Sequence, residues 1–396
     1  MQKYYYNTLA EYLKSWQSNT KYFDMLKLMA QLSKLFSESN VPYLDYRLAE
    51  NLFCKYFNAA NDARSCTAYD ARIAHIGIGI KTFILKGKGD YSVEKIAEFN
   101  KLKKTLTGLS GKELAIRIGQ YRNDRMKFAN NQYGIKETQY HIVGRIDGAL
   151  RLFNTPYEEI SLATIHLEKD DETSCAFNDE KDEYVFNKSK SVLLKRFKVP
   201  DDYKDVPVDT LNDPLTMLED FFSSSKKTEE MKVEKLQKGR DYVILPLYSH
   251  TKAKGFYVPE KSGLNQFNAG GRVRNELEVY IPVPKAIHNL YPNFFPKRDT
   301  PFTLLLPDGK DLSAKICQDG GKALMSNPNK ALGEWLLRKV LSKKAWEIVT
   351  MDDLDRLGFD SLCVENLHST DKIGRRVYRI SFSNENEGYE TFIQSK

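Results

Sequence analysis

Apolar residues recur at helical spacing from Tyr22 to Phe36 and, after the Val41-Pro42 break, from Tyr46 to Phe57, so both stretches are predicted helices. From Ala68 to Leu85 the pattern changes to isoleucine and phenylalanine alternating with small residues, with His75-Ile76-Gly77 between two expected strands. Ser92 then opens an expected amphipathic helix with Val93, Ile96, Ala97 and Phe99 apolar, Asp90 or Ser92 as its cap and a lysine-rich end at Lys101 to Lys104. A further helix is predicted over Gly111 to Gln132, and Gln139 to Phe153 and Ile160 to Leu167 return to the strand pattern. Between Pro200 and Gly239, Asp, Pro, Ser and Lys mark a linker with a short apolar interruption near Leu218 to Phe222. Beyond it, runs such as Leu277 to Ile281 and Phe302 to Leu306 end at Pro or at the Asp308-Gly309 turn, the pattern of a small β-barrel. A helix is expected within it over Lys330 to Leu341 and a last strand over Val377 to Phe382. The division that follows is a first domain over 1–200, a linker over 201–237 and a second domain over 238–396.

With 396 residues, 41% of them hydrophobic, the chain can bury a large core and is globular rather than disordered. The net charge of +7 is modest, but residues 251–344 hold sixteen Lys and Arg against eight Asp and Glu, so the excess is local. Cys54, Cys66, Cys175, Cys317 and Cys363 are odd in number and lack metal-ligand spacing, which suggests reduced thiols in a cytoplasm. The N-terminus has no apolar signal core, no run is long enough to span a bilayer, and there is no tandem repeat.

The local basic excess coincides with two polar loops, Asn265 to Asn275 and Gln318 to Lys330, where amides, Arg and Lys stand among glycines. Such groups match the needs of base edges and phosphates, and glycines allow close backbone approach. Through NAGGRVRNELEVYIPVP, FFPKRDTPFTLLLP and CQDGGKALMSNPNKALG, this region resembles the DNA-recognition pseudobarrel of NgoFVII-type restriction endonucleases, related to the plant B-three domain. The resemblance implies double-stranded DNA as partner, with the two loops gripping opposite sides of the major groove. It names Asn268, Arg272, Arg274, Asn275, Gln318, Asp319, Lys322, Ser326, Asn327, Asn329 and Lys330 as candidate DNA-binding residues. Asparagine and Asp319 also close turns through side-chain to backbone bonds, so each loop as a unit is a stronger candidate than any one residue.

In the first domain an acid, a lysine and another acid occur in order: Asp70, then Lys81 in GIGIKTF, then Glu98 in EKIAEF. Phosphodiester hydrolysis needs carboxylates to hold a divalent metal and a cation to steady the attacking water or the pentavalent charge. The arrangement resembles PD-(D/E)XK nucleases but departs from them, since Gly79 stands where an acid two residues before Lys81 is usual. Some restriction enzymes of that superfamily supply the missing carboxylate from the following helix, which implies Asp70 and Glu98 as Mg2+ ligands, Lys81 as the water-positioning cation, and Glu94, one turn earlier, as the alternative ligand. His141 and Arg145 could reach a phosphate, and Arg122 and Arg125 could approach DNA backbone; a satisfied core histidine and a solvated helix face are the simpler readings. GIGIK has neither dinucleotide-loop spacing nor a P-loop ending, so ATP dependence is unsupported.

The expected architecture is therefore mixed α+β: an N-terminal α/β PD-(D/E)XK-like nuclease domain followed by a C-terminal β-pseudobarrel. The expected activity is that of a Type II restriction endonuclease hydrolysing duplex DNA at a short sequence with Mg2+, leaving 5′-phosphate and 3′-hydroxyl ends. One centre cuts one strand, so a homodimer, or a heterodimer with a sister subunit, is expected. A non-catalytic sequence-specific DNA-binding protein and the recognition subunit of a nuclease complex are the alternatives.

Overall fold

The computed structural model describes residues 6–62, 68–224 and 236–384. The chain divides into two compact units, one of residues 1–126 and 135–232, the other of residues 127–134 and 233–396.

In the first unit, α1 (Leu9–Ser15), α2 (Thr20–Gln31) and α3 (Tyr46–Phe57) precede the sheet. Asp45 starts α3 by accepting the backbone N–H groups of Arg47 and Leu48 at 2.9 and 3.2 Å, and Asn58 ends it in the left-handed region, φ 52°. Its buried stripe, Ala49, Leu52, Phe53 and Phe57, packs with Tyr22 and Leu26 of α2 against Ile76, Ile78 and Ile80. The strands are β1 (Ala60–Asn61), β2 (Ala71–Ile73), β3 (Ile76–Ile84), β4 (Tyr91–Glu98), β5 (Glu137–Ile146), β6 (Ala149–Pro156), β7 (His166–Asp170), β8 (Ser174–Asn178), β9 (Glu183–Asn187), β10 (Val192–Lys198) and β11 (Tyr203–Pro207). One sheet runs β1-β2-β3-β5-β6-β11 and another β4-β10-β9-β8-β7. Strand β5 pairs parallel to β3. Between them in sequence lie α4 (Lys103–Leu106) and α5 (Gly111–Tyr133), a crossover of the kind a parallel pair requires.

Two expectations are corrected by this unit. The segment opened by Ser92 is a strand, not a helix: Tyr91 to Glu98 pairs antiparallel with β10 over seven residue pairs. The spacing of Val93, Ile96 and Ala97 suits a helix, but a strand lying beside β10 satisfies its backbone groups while Ile96 and Ala97 still pack on a core. The linker begins later than composition suggested, because Tyr203–Pro207 pairs with β6 and α6 (Pro214–Ser224) follows. The remainder of the expected linker, 225–235, lies outside the described residues, as does Cys66.

The second unit holds β12 (Tyr242–Pro246), β13 (Ser249–Thr251), β14 (Gly255–Tyr257), β15 (Ile281–Pro282), β16 (Phe302–Leu305), β17 (Asp311–Cys317), β18 (Ala323–Ser326), β19 (Ser361–Thr370) and β20 (Arg376–Ser383). Its helices are α7 (Lys285–Leu290), α8 (Lys330–Gly333), which continues as π turns over Glu334–Val340, and α9 (Met351–Leu357). The sheet order is β12-β19-β20-β16-β17-β18-β15. It curls so that its edge strands β12 and β15 approach each other. The expected strand from Leu277 shrinks to Ile281–Pro282, because the Leu277 main chain lies against α8, so close that a Cβ on Gly333 would run into the Leu277 carbonyl oxygen. Cys54, Cys175 and Cys317 are free thiols, and among the described residues no helix is long and apolar enough to cross a membrane.

Candidate active site and nucleic-acid interface

Asp70 lies just before β2, where the chain enters the sheet, and Lys81 lies within β3. One Asp70 carboxylate oxygen accepts the Ile80 backbone N–H at 2.7 Å and stands 3.6 Å from the Lys81 ammonium. Burial pulls the Lys81 ammonium down, but the charge of Asp70, with Tyr140 and Glu50, outweighs it and holds the group above its ordinary range. Lys81 is therefore a fixed cation and not a neutral base.

The carboxylate that shares this neighbourhood is Glu50 of α3, 6% exposed. Burial, reinforced by the charge of Asp70, pushes Glu50 up to about 6, while Arg47 and Lys81 pull the other way. Sequence reasoning missed Glu50, although a signal exists: Glu50, Phe53 and Phe57 fall on one stripe of α3, so an acid occupies the buried face. Glu98 is placed differently from expectation, at the end of strand β4, bonded to Lys95 at 3.1 Å and to Asn100. Glu94 accepts from Ser92 Oγ on the same strand.

Gly79 is explained by packing. Tyr140 and Tyr157 stack with ring centroids 3.9 Å apart and planes 5° from parallel, and a Cβ on Gly79 would come within 2.8 Å of both rings. The strand position two before Lys81 therefore has no space for a side chain. Hard oxygen donors such as Asp70 and Glu50 suit Mg2+, which commonly uses one or two carboxylates and completes its shell with water. Among the described residues no group of three or more His, Cys, Asp or Glu is gathered at metal-ligating geometry.

The basic candidates of this unit are structural. His141 is fully buried, within 3.0 Å of the Tyr12 and Tyr22 hydroxyls and Asn154, and burial lowers it to about 4. Arg122 is buried, donates to the Glu158 carbonyl at 2.8 Å and covers the Tyr157 ring. Arg125 lies over Phe99 and donates to the Glu98 carbonyl at 2.9 Å. Arg145 lies over Tyr43.

In the second unit the first candidate loop is organised around Glu278, an acid 5% exposed that receives both Arg272 and Arg274, the latter at 2.5 Å. Arg274 is further tied to the Ala269 carbonyl at 3.0 Å and only 15% of its side chain is exposed, whereas Arg272 is 57% exposed. Between them Val273 is 95% exposed. Asn268 donates to the Glu260 carbonyl, and Asn275 accepts the Leu277 N–H, both from exposed positions.

Strand β18 splits the second candidate loop into two. Gln318, Asp319 and Lys322 precede it; Asn327, Asn329 and Lys330 follow it; of these six, only Gln318 is partly buried and the others are exposed. Because Ile281 pairs with Leu324 and Pro282 with Ala323, the loop leading into β15 reaches the sheet from the Ser326 end, opposite the 318–322 turn. Ser326 is corrected: it is 1% exposed, donates to the Pro328 carbonyl at 2.8 Å and accepts the Leu332 N–H at 2.8 Å, so it fastens α8 to β18 and presents nothing to a ligand.

Residues 242–367 match the family model of the NgoFVII C-terminal B3-like DNA-binding domain. The match covers roughly a third of the chain, contains every candidate reader and agrees with the curled seven-stranded sheet. It supports DNA as the partner of this unit and fits a family of sequence-specific DNA-binding restriction enzymes. No curated protein matches the chain.

Proposed function

We propose that this chain is a site-specific endonuclease of duplex DNA, of the restriction type, whose B3-like unit selects the sequence and whose first unit cuts. The observation that carries the reading is the gathering of Asp70, Lys81 and Glu50 around the start of β2 and the middle of β3, in a chain whose residues 242–367 match a DNA-binding domain. Asp70 and Glu50 would hold Mg2+, with Glu50 taking the part expected of Glu98. When bound there, the ion supplies a Lewis acid for the scissile phosphate and a more acidic water. Lys81, kept charged by Asp70, orients the attacking water and stabilises the negative charge that grows on the phosphoryl oxygens. Asp70 keeps one carboxylate oxygen on the Ile80 N–H, which fixes the orientation of the other. Since one such centre cuts one strand, two copies, or this chain and a sister subunit, act together on a duplex.

Digestion of unmethylated plasmid by the purified full-length chain, with Mg2+ and with EDTA, tests this. Discrete fragments only with Mg2+, abolished in Asp70→Ala and Lys81→Ala while DNA binding persists, are the expected result. A second reading, a recognition subunit without its own cutting centre, is favoured by the blocked Gly79 position. Sequence-specific binding without cleavage at any Mg2+ concentration would establish it and overturn the first.

A further inference from the structure

Beside the 318–322 turn the second unit carries two adjoining grooves of about 750 and 530 Å3 that share Pro292, Asn293 and Arg376. The three shared residues place the grooves side by side, and the pair is termed the channel. Arg240 and His368 line one end, Lys297 and Arg298 the other, and Arg376 stands where the two meet; among the described residues no Asp or Glu lines either groove. Of the acids paired with these groups, Asp241 is buried and Asp299 is exposed. Asp241, 3% exposed, receives Arg240 at 3.0 Å and His368 at 2.7 Å, and Asp299 takes Arg298 at 3.5 Å and Lys315 at 3.0 Å. His368 adopts a left-handed backbone, φ 49°, within an irregularity of the β19–β20 ladder, and its backbone N–H donates to Asn366 Oδ1 at 3.0 Å. Gly320 and Gly321 line the far groove, which makes the channel continuous with the candidate recognition turn.

We propose that this channel carries the DNA backbone away from the recognition turn, with phosphates seated on Arg376, Arg240, Lys297 and Arg298. The inference rests on the DNA-binding reading above and adds a surface on which affinity, rather than base choice, depends. Two features favour a polyanion backbone over an extruded base or a peptide. The channel runs over two adjoining grooves, and its cations are spread over both instead of converging on one point. Phosphate contacts of this kind position a protein without reading sequence.

The test uses the full-length chain and a random-sequence duplex of about 40 base pairs, with binding titrated across salt concentrations. Removing a cation that neutralises one phosphate should make the slope of log K against log salt shallower by about 0.9. Lys297→Ala/Arg298→Ala/Arg376→Ala is expected to make it shallower by two to three and to weaken binding at least tenfold near 0.1 M salt. Arg376→Lys should retain the wild-type slope, and Lys190→Ala, an exposed lysine of the first unit, should change neither quantity. A folded triple variant with the wild-type slope overturns the proposal. So does a channel that binds ATP or inorganic phosphate in the wild type and fails to bind it in the variant while DNA slopes stay equal, since that marks a small-anion pocket. Absence of any DNA binding by the wild type would instead sink the functional reading itself, and the channel proposal with it.

Discussion

A Cβ on Gly79 would lie 2.7 Å from Tyr157 and 2.8 Å from Tyr140, so a carboxylate could enter that strand position only by parting two stacked rings. Gly79→Asp is therefore expected to destabilise the first unit by about 2 kcal/mol or more through overpacking and an unsatisfied buried charge, with no gain in cleavage. Urea unfolding together with plasmid digestion checks this; a stable, more active variant would show that the rings move freely. Because Asp70, Lys81 and Glu50 sense one another while Glu98 is held by Lys95 and Asn100, Glu50→Gln should abolish single-turnover cleavage and Glu98→Gln should leave most of it. The reverse order would return the second metal ligand to Glu98. His141 gives the unit an acid limb. Its folded value, about 4, lies below the ordinary 6.5, so the unfolded chain takes up the proton first; stability is complete above about 6.5 and falls as pH drops toward 4. The decrease amounts to about 3 kcal/mol, and His141→Gln should flatten that part of the stability profile in urea titrations from about pH 4 to 7.

Elements place these residues where local pattern does not. The carboxylate of Glu278 holds two arginines of the 268–275 segment, so Glu278→Ala should release Arg272 and Arg274 and blur sequence preference more than it weakens binding to random DNA. Ser326→Ala removes the acceptor of the Leu332 N–H at the start of α8 and should cost about 1 kcal/mol in stability while leaving sequence preference intact. A competition assay between selected and random duplexes, read beside thermal melts, separates the two. If Ser326→Ala changes preference without changing stability, the serine reads DNA after all. In strand β4 the neighbouring element overrides the local pattern outright: its residues suit an amphipathic helix, and pairing along β10 makes them a strand.

At the scale of the whole molecule, the second unit includes residues 127–134, and Phe128 stacks on Phe359 at 5.2 Å and meets Phe382 edge-on at 4.8 Å. Phe128→Ala in the full chain should cost this unit about 3 to 5 kcal/mol, measured as the midpoint of its unfolding and its drop in DNA affinity. A change below about 1 kcal/mol would show that 127–134 is peripheral to it. The sequence by itself determined α2 and α3, the β2–β3 hairpin around His75, and the strand–turn pattern of the second unit, because hydrophobic period and turn residues are local quantities. It also pointed to Asp70 and Lys81, whose spacing along one hairpin is local too. Only tertiary structure decided that Glu50 joins them from a helix 20 residues earlier in the chain, that Gly79 is closed by a ring stack drawn from β5 and the segment after β6, and that Ser326 faces inward. Each of these depends on which surfaces meet after the chain has folded. Burial, charge proximity and excluded space between distant segments leave no periodic trace in the sequence.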